Sequence, residues 1–182
     1  MVSGRLLALA ALVVAPVQDT AFDPVSGYRI AAYRGVVPDP PPGVPQINAA
    51  AVAALGDRAV LIDVVPAEGA VRDTATGMWR LARPAVSIPR AHWFPEAGRG
   101  VPDPAIARWF LDGVRTLAAA QPRAPIVVFC LADCWMSWNA ALRLRRAGYT
   151  QVRWFAEGSD GWRDLGRGLV PVAPYRATVR RR

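Results

Sequence analysis

The sequence has no lysine, so arginine supplies all 22 basic charges against 14 acidic residues, a formal net charge of +8. A basic chain can bind nucleic acid when its positive charge is concentrated on one face. Here the arginines are scattered, apart from those within residues 143–146 and 180–182. A solvated helix face and a terminal tail explain these two groups. We therefore attribute the missing lysine to compositional bias and predict no nucleic-acid partner.

Histidine and cysteine are also scarce: His92 is the single histidine, and Cys130 and Cys134 are the two cysteines. A protein zinc site commonly draws its ligands from these residue types. One histidine excludes a His-rich metal centre, and we predict neither a metal nor a cofactor. No motif links His92 to Cys130, so a Cys–His dyad has no support from the spacing.

Apolar runs of membrane-spanning length are missing too. Residues 6–15 form a continuous apolar run, which as a helix would span about 15 Å, half of a bilayer core of about 30 Å. With Arg5 before it, the run is typical of a signal peptide. We predict a signal peptide at residues 1–15, export to the periplasm and no membrane span in the mature form. The alternative, an N-terminal strand or helix of the domain, stays open.

Length and patterning predict one α/β domain. The chain has 182 residues, of which 53% are hydrophobic, enough to bury a real core. We divide it into an irregular, Pro-rich N-terminal segment (residues 16–43), a compact domain (44–168) and a basic C-terminal tail (169–182). Strands alternating with helices favour a parallel sheet covered on both faces. We predict strands at 59–65, 85–89, 126–129 and 152–155, helices at 49–55, 105–120 and 137–147, and a tight turn at 157–161.

The cysteines follow the apolar strand at residues 126–129, just before a helix begins near Ser137. Backbone N–H groups converge where a strand passes into a helix, and they can lower a thiol pKa and hold an anion. We therefore predict Cys130 as the catalytic nucleophile, although a buried, inert cysteine is the competing interpretation. The predicted anion cradle is the loop formed by Leu131, Ala132, Asp133, Trp135 and Met136.

Six short pieces of sequence, in order, resemble a single rhodanese domain over about residues 44–168. They are Leu61–Val64, Ser87–Ala91, Val127–Cys130, Arg146–Tyr149, Val152 and Glu157–Trp162. The resemblance implies a rhodanese-like α/β fold, a mainly parallel sheet of about five strands with helices on both faces. It also implies a persulfide on the cysteine after the central strand.

The stretch from Cys134 to Asn139 is similar to a narrower group, the exported rhodanese-like proteins associated with catabolism dependent on pyrroloquinoline quinone (PQQ). That group carries a Cys-x-x-Cys-Trp signature. The resemblance implies a sulfane-sulfur donor or thiol partner, and a periplasmic quinoprotein dehydrogenase system as a further partner. Asp63, Ser137 and Trp138 are expected to support the site.

The cysteine loop departs from the family pattern. The spacing is Cys130-x-x-x-Cys134-Trp135, and Ser137 lies seven residues after Cys130 where six is usual. Longer loops belong to phosphatase- and arsenate-reductase-like members, which carry a loop arginine that this chain lacks. The loop has Asp133 instead, a negative charge expected to disfavour a bound dianion such as thiosulfate.

Two supporting positions also differ from the family. Ser87 stands where a histidine is usual before Ile-Pro, and Val65 stands where an arginine often follows Asp-Val. The second difference leaves Asp63, inside a buried strand, without its usual partner. An unpaired buried carboxylate is costly.

Cys134 has three open interpretations. It could attack a persulfide on Cys130 and release sulfide, cycle with Cys130 as a dithiol–disulfide pair, or form a structural disulfide. We predict a sulfurtransferase or thiol-redox enzyme. The alternative is a non-catalytic binding module, whose aromatic mouth would need an exposed Trp135; an arsenate-reductase- or phosphatase-like enzyme is a weaker alternative.

Overall fold

The computed structural model describes residues 21–176. The predicted signal peptide and residues 177–182 of the predicted tail lie outside this range. Among the described residues, no helix has both the length and the apolar character needed to cross a membrane.

The elements alternate between helices and strands from residue 104 onward, as predicted, whereas five short strands follow one another between residues 60 and 93. In chain order they are α1 (Ala49–Leu55), β1 (Val60–Asp63), β2 (Val71–Arg72), β3 (Trp79–Arg80), β4 (Ala85–Ser87), β5 (His92–Trp93), α2 (Pro104–Ala120), β6 (Ile126–Phe129), α3 (Trp135–Arg146), β7 (Val152–Phe155), α4 (Gly158–Asp164) and β8 (Val170–Val172), with a 3-10 turn at Gly56–Arg58 after α1.

The central sheet has four parallel strands in the order β5-β1-β6-β7. The strand expected at residues 85–89 does not join it. β4 instead pairs antiparallel with β8, in the register Ala85↔Val172, Val86↔Pro171 and Ser87↔Val170. The start of the predicted tail is therefore a strand. Pairing between segments so far apart in sequence leaves no local pattern, which is why the sequence did not reveal it.

Side chains of the inner strands alternate between two cores. Ile62 and Val128 pack in the core that α2 and α3 cover, whereas Leu61 and Val127 pack in the core shared with α1 and α4. Burial on both faces explains why these strands read as continuous apolar runs. The α/β fold with helices on both faces is thus present.

The first residue of each helix can be compared with its prediction, and the start of α3 determines the position of Cys134. α1 begins as predicted, because the Asn48 side chain accepts a hydrogen bond from the Ala51 N–H at 2.9 Å. α3 begins at Trp135, two residues earlier than predicted, so Cys134 stands at its N-cap. The predicted turn at 157–161 is the start of α4. The loop from β6 to α3 is therefore only residues 130–134.

Candidate functional site

Cys130 and Cys134 meet at the carboxyl end of the parallel sheet as two buried, free thiols. The two thiols are close enough for each to shift the pKa of the other. The loop between them is curled, because Asp133 has a left-handed φ of 48° and Cys134 is extended, with φ −128° and ψ 112°. A helical loop would hold residues four apart too far from each other for a disulfide. The curled loop brings the two sulfurs together.

The two thiols have opposite electrostatic environments. The pKa of Cys134 is lowered to about 7, first by the hydrogen bond from the Cys130 thiol and then by the Met136 N–H and Arg34. The pKa of Cys130 is raised well above its ordinary value, first by burial and then by Cys134 and Asp63. Cys134 therefore carries the thiolate near neutral pH. These surroundings favour Cys134 over Cys130, the nucleophile that the sequence predicts.

The predicted anion cradle is largely filled by the protein itself. The Ala132 N–H donates to the Asp160 carboxylate at 2.9 Å, and the Trp135 N–H donates to the Tyr33 carbonyl at 2.9 Å. The Leu131 N–H lowers the pKa of Cys130, and the Met136 N–H lowers that of Cys134. The loop amides thus stabilise sulfur and an internal carboxylate, and they do not form an open phosphate-binding loop.

A cavity of about 150 Å³ lies beside the thiols, and its charged walls come from outside the cysteine loop. Arg34, Arg83, Arg99 and Glu68 line it together with both cysteines. Asp133 is exposed and is not part of this lining. The expectation that Asp133 faces the bound anion is therefore wrong. The lining has three arginines and one acid, with Arg83 3.7 Å from Glu68 and Arg99 2.7 Å from Glu96, which lies outside the lining. Sequence reasoning missed these arginines because they are far apart in the chain and belong to no motif.

The N-terminal segment covers the cysteine loop. Residues 21–39, which we call the strap, are irregular as predicted, but they are not a free connector. The Gly35 N–H donates to the Asp133 carbonyl at 2.9 Å, and the Arg34 guanidinium donates to the Ala132 carbonyl at 2.8 Å. Further along, the Asn139 amide exchanges hydrogen bonds of 3.0 and 2.8 Å with the backbone of Arg29. The strap therefore fixes the outer side of the loop.

The strap also buries Trp135. This side chain is only 8% exposed, with the Phe22 ring edge-on at 5.2 Å and the Arg29 guanidinium 4.6 Å above its face. Trp138 is buried beside it and donates its indole N–H to the Asp39 carbonyl at 3.0 Å. Both tryptophans are core residues. The aromatic mouth that an exposed Trp135 would have formed does not exist.

Asp63 has partners despite the valine at position 65. The Ser87 hydroxyl donates to its Oδ2, and the Val65 N–H donates to its Oδ1 at 2.7 Å. Asp63 thus has the partners that a buried carboxylate requires, although not the arginine expected from the resemblance, and Ser87 supplies one of the bonds. Burial nevertheless raises the pKa of Asp63 to about 6. Ser137 links the site to β7, since its hydroxyl donates to the Cys134 carbonyl and accepts from the Trp154 indole.

We expect Asp63→Asn to remove a pH-dependent loss of stability. The pKa of Asp63 is about 6 in the folded protein against an ordinary 3.8, so folding favours its protonated form. That stabilisation is complete below about pH 4 and is lost as pH rises through 6, a change of roughly 3 kcal/mol. Urea unfolding of both proteins from pH 4 to 7.5 measures the difference between wild type and variant.

Asp73→Asn is the control for this measurement. Hydrogen bonds led by the Thr76 N–H lower the pKa of the exposed Asp73, so its contribution has the opposite sign and is lost as pH falls. A difference between wild type and Asp63→Asn that stays constant across this pH range would contradict the raised pKa.

His92 lies outside this site. His92 packs edge-on against Tyr175, with ring centroids 5.7 Å apart, and is not in the lining of the thiol cavity. Within residues 21–176, no cluster of three or more His, Cys, Asp or Glu side chains could hold a metal ion. The chemistry that this arrangement offers is that of the two thiols.

Comparison of the chain with protein-family models, with curated proteins and with solved structures gave no match. The site itself offers two free thiols, a lowered pKa at Cys134, and an arginine-lined cavity whose lining includes both cysteines.

Proposed function

We propose that this protein is a thiol–disulfide redox enzyme in which Cys134 attacks and Cys130 resolves. One observation carries the proposal: two free thiols line one cavity, and Cys134 stands at the N-cap of α3, where its pKa is lowered to about 7 while burial raises that of Cys130. An attacking thiol is most effective when its pKa lies near the ambient pH. The resolving thiol keeps its proton until the first step has removed the charge beside it.

The reaction runs in two exchanges. The Cys134 thiolate attacks one sulfur of a substrate disulfide, that S–S bond breaks, and the first substrate thiolate leaves and takes a proton. Cys130 then loses its proton and attacks the Cys134 sulfur, which breaks the mixed disulfide and releases the second substrate thiol. The protein dithiol gives up two electrons and becomes a disulfide, while the substrate disulfide becomes two thiols.

Sulfur transfer is the second candidate, and the arginine-lined cavity favours it. Arg34, Arg83 and Arg99 can attract a sulfane-sulfur donor whose leaving group is an anion. Cys134 would take the outer sulfur as a persulfide while the anion leaves. Attack of Cys130 on the Cys134 sulfur would then release HS⁻ and form the same disulfide. In these steps Cys134 carries the persulfide and Cys130 resolves it, whereas the rhodanese resemblance implies a persulfide on Cys130.

The wider assignment is also part of the proposal. A strand, a cysteine loop and a helix in parallel α/β order support a rhodanese-like domain. The apolar run at residues 6–15 after Arg5 supports export to the periplasm. The likeness of residues 134–139 to the PQQ-associated group supports an accessory role in a PQQ-dependent oxidation system.

The other two functions have less support. A binding module would need the aromatic mouth, but Trp135 is covered by Phe22 and Arg29. A phosphatase- or arsenate-reductase-like loop would need free amides, but those of Ala132 and Trp135 are bonded to Asp160 and Tyr33.

Mass spectrometry of the intact protein tests the proposal. After treatment of the reduced protein with an oxidised dithiol, we expect a mass loss of about two hydrogen atoms, a disulfide link between the Cys130 and Cys134 peptides after digestion, and full reversal by a reductant. Treatment with a sulfane-sulfur donor separates the two candidates, because only sulfur transfer releases sulfide and leaves the disulfide behind. If neither reagent links the two cysteines, both candidates fail.

A further inference from the structure

A second cavity adjoins the thiol cavity. This groove has a volume of about 350 Å³, and it shares five lining residues with the thiol cavity: Val65, Pro66, Glu68, Arg83 and Leu131. The two spaces therefore form one continuous cleft, with the sulfurs at one end. A sulfane-sulfur anion would occupy the thiol end alone and would leave the groove unused.

The walls of the groove suit an extended chain. They are mostly apolar and include β4 and the segments on either side of it, among them Leu81, Pro84 and Val86. Val86 is 49% exposed. Among residues 21–176, β4 has a strand neighbour on one side only, β8. Extended peptides commonly bind beside such an edge, where backbone hydrogen bonds supply affinity and pockets take alternate side chains.

The charges of the cleft favour an acidic occupant. Arg34, Arg83 and Arg99 line the thiol end and Arg163 lines the groove, whereas Glu68 is the acid shared by both linings. Three of these arginines have an acidic neighbour: Arg83 lies 3.7 Å from Glu68, Arg99 2.7 Å from Glu96 and Arg163 3.8 Å from Asp160. The pairs of Arg83 and Arg163 are exposed and therefore weak, so an excess of positive charge remains. Complementary charge raises the rate of encounter and selects among partners. A basic segment would meet this excess of positive charge and be disfavoured.

From this geometry we infer that the disulfide reduced at Cys134 belongs to an extended, acidic polypeptide segment that lies along the groove. This inference rests on the proposed redox function and names its substrate class. The sulfur of the segment enters the thiol cavity, and the residues beside it occupy the groove along β4. The two exchanges are those already described, with the peptide cysteine as the first or second leaving thiol.

Single-turnover kinetics of the reduced full-length protein test the inference. The probes are a short peptide rich in Glu and Val with a central cysteine, its Arg-for-Glu counterpart, and N-acetylcysteine amide, each as a mixed disulfide with 2-mercaptoethanol. We expect the acidic peptide to react at least about tenfold faster than the amide, a gain equivalent to about 1.4 kcal/mol. The gain should shrink as salt screens the arginines. The basic peptide should show no such gain.

A matched pair of variants locates the binding surface. Val86→Glu places a negative charge in the groove, whereas Val101→Glu makes the same change at a 75% exposed valine outside both linings. We expect Val86→Glu to abolish the advantage of the acidic peptide, measured as the ratio of its rate to that of the amide, and Val101→Glu to leave this ratio unchanged.

Three outcomes overturn the inference. Equal rates for acidic peptide and amide would contradict a peptide substrate while leaving the redox function in place. If Val86→Glu and Val101→Glu reduced the advantage of the acidic peptide equally, the groove would not be its binding surface. A protein that reduces none of the probes would overturn the proposed function as well.

Discussion

Replacing Cys134 by serine is expected to lower the rate of disulfide reduction by about a thousandfold or more, since a hydroxyl stays protonated and is a far poorer nucleophile than a thiolate. The thiol at position 134 has its pKa lowered to about 7, so it is the group that is ionised near neutral pH. Cys130, whose pKa is raised by burial, by Cys134 and by Asp63, cannot replace it. Stopped-flow measurement of the first exchange with a chromogenic disulfide gives this rate directly.

Two substitutions at Cys130 serve as the comparison. Cys130→Ser keeps a hydrogen-bond donor beside Cys134, so the first exchange should proceed and then stop as a stable mixed disulfide that mass spectrometry detects. Cys130→Ala removes the donor, which is the largest cause of the lowered pKa. The pH dependence of Cys134 alkylation should therefore move to higher pH in Cys130→Ala. Loss of the first exchange in Cys130→Ser but not in Cys134→Ser would return the nucleophile to Cys130.

Gly158→Ala is expected to be the most destabilising small substitution near the site, by about 3 kcal/mol or more. Gly158 begins α4 with a left-handed φ of 56°, and a Cβ there would overlap the carbonyl oxygen of Cys130. The overlap would fall on backbone, which a side-chain rotation cannot relieve. It would also break the adjacent hydrogen bond from the Ser159 N–H to that carbonyl. Urea unfolding measures the loss.

Gly166→Ala separates the cost of the left-handed backbone conformation from the cost of the overlap with the Cys130 carbonyl. Gly166 has a left-handed φ of 73°, but nothing lies within 4 Å of its added Cβ. Only the conformational cost applies there, about 1 kcal/mol. Equal losses in the two variants would show that contact with Cys130 is unimportant. A larger loss in Gly158→Ala, accompanied by a change in thiol reactivity, would show that α4 positions the cysteine loop.

Local patterns predicted the elements that carry the site. The strands at residues 126–129 and 152–155 have the predicted bounds, because each is a short apolar segment buried on both faces. α1 has its predicted start and end, since Asn48 caps it and Gly56 ends it. α3 begins two residues before its predicted start and ends one residue before its predicted end. Its first turn, starting at Trp135, is stabilised by the Tyr33 carbonyl, a contact that no local pattern records.

Sequence alone thus placed both thiols at the end of a buried strand, because hydrophobic periodicity and the position of Cys130 are local properties. Tertiary structure assigned their roles. A thiol pKa depends on every charge and dipole within a few ångströms, and here Arg34, Met136 and Asp63 provide them. Packing also buried Trp135 under the strap and brought Arg83 and Arg99 to the cavity. These contacts join segments that are distant in sequence and meet only in the folded protein, so local sequence patterns do not reveal them.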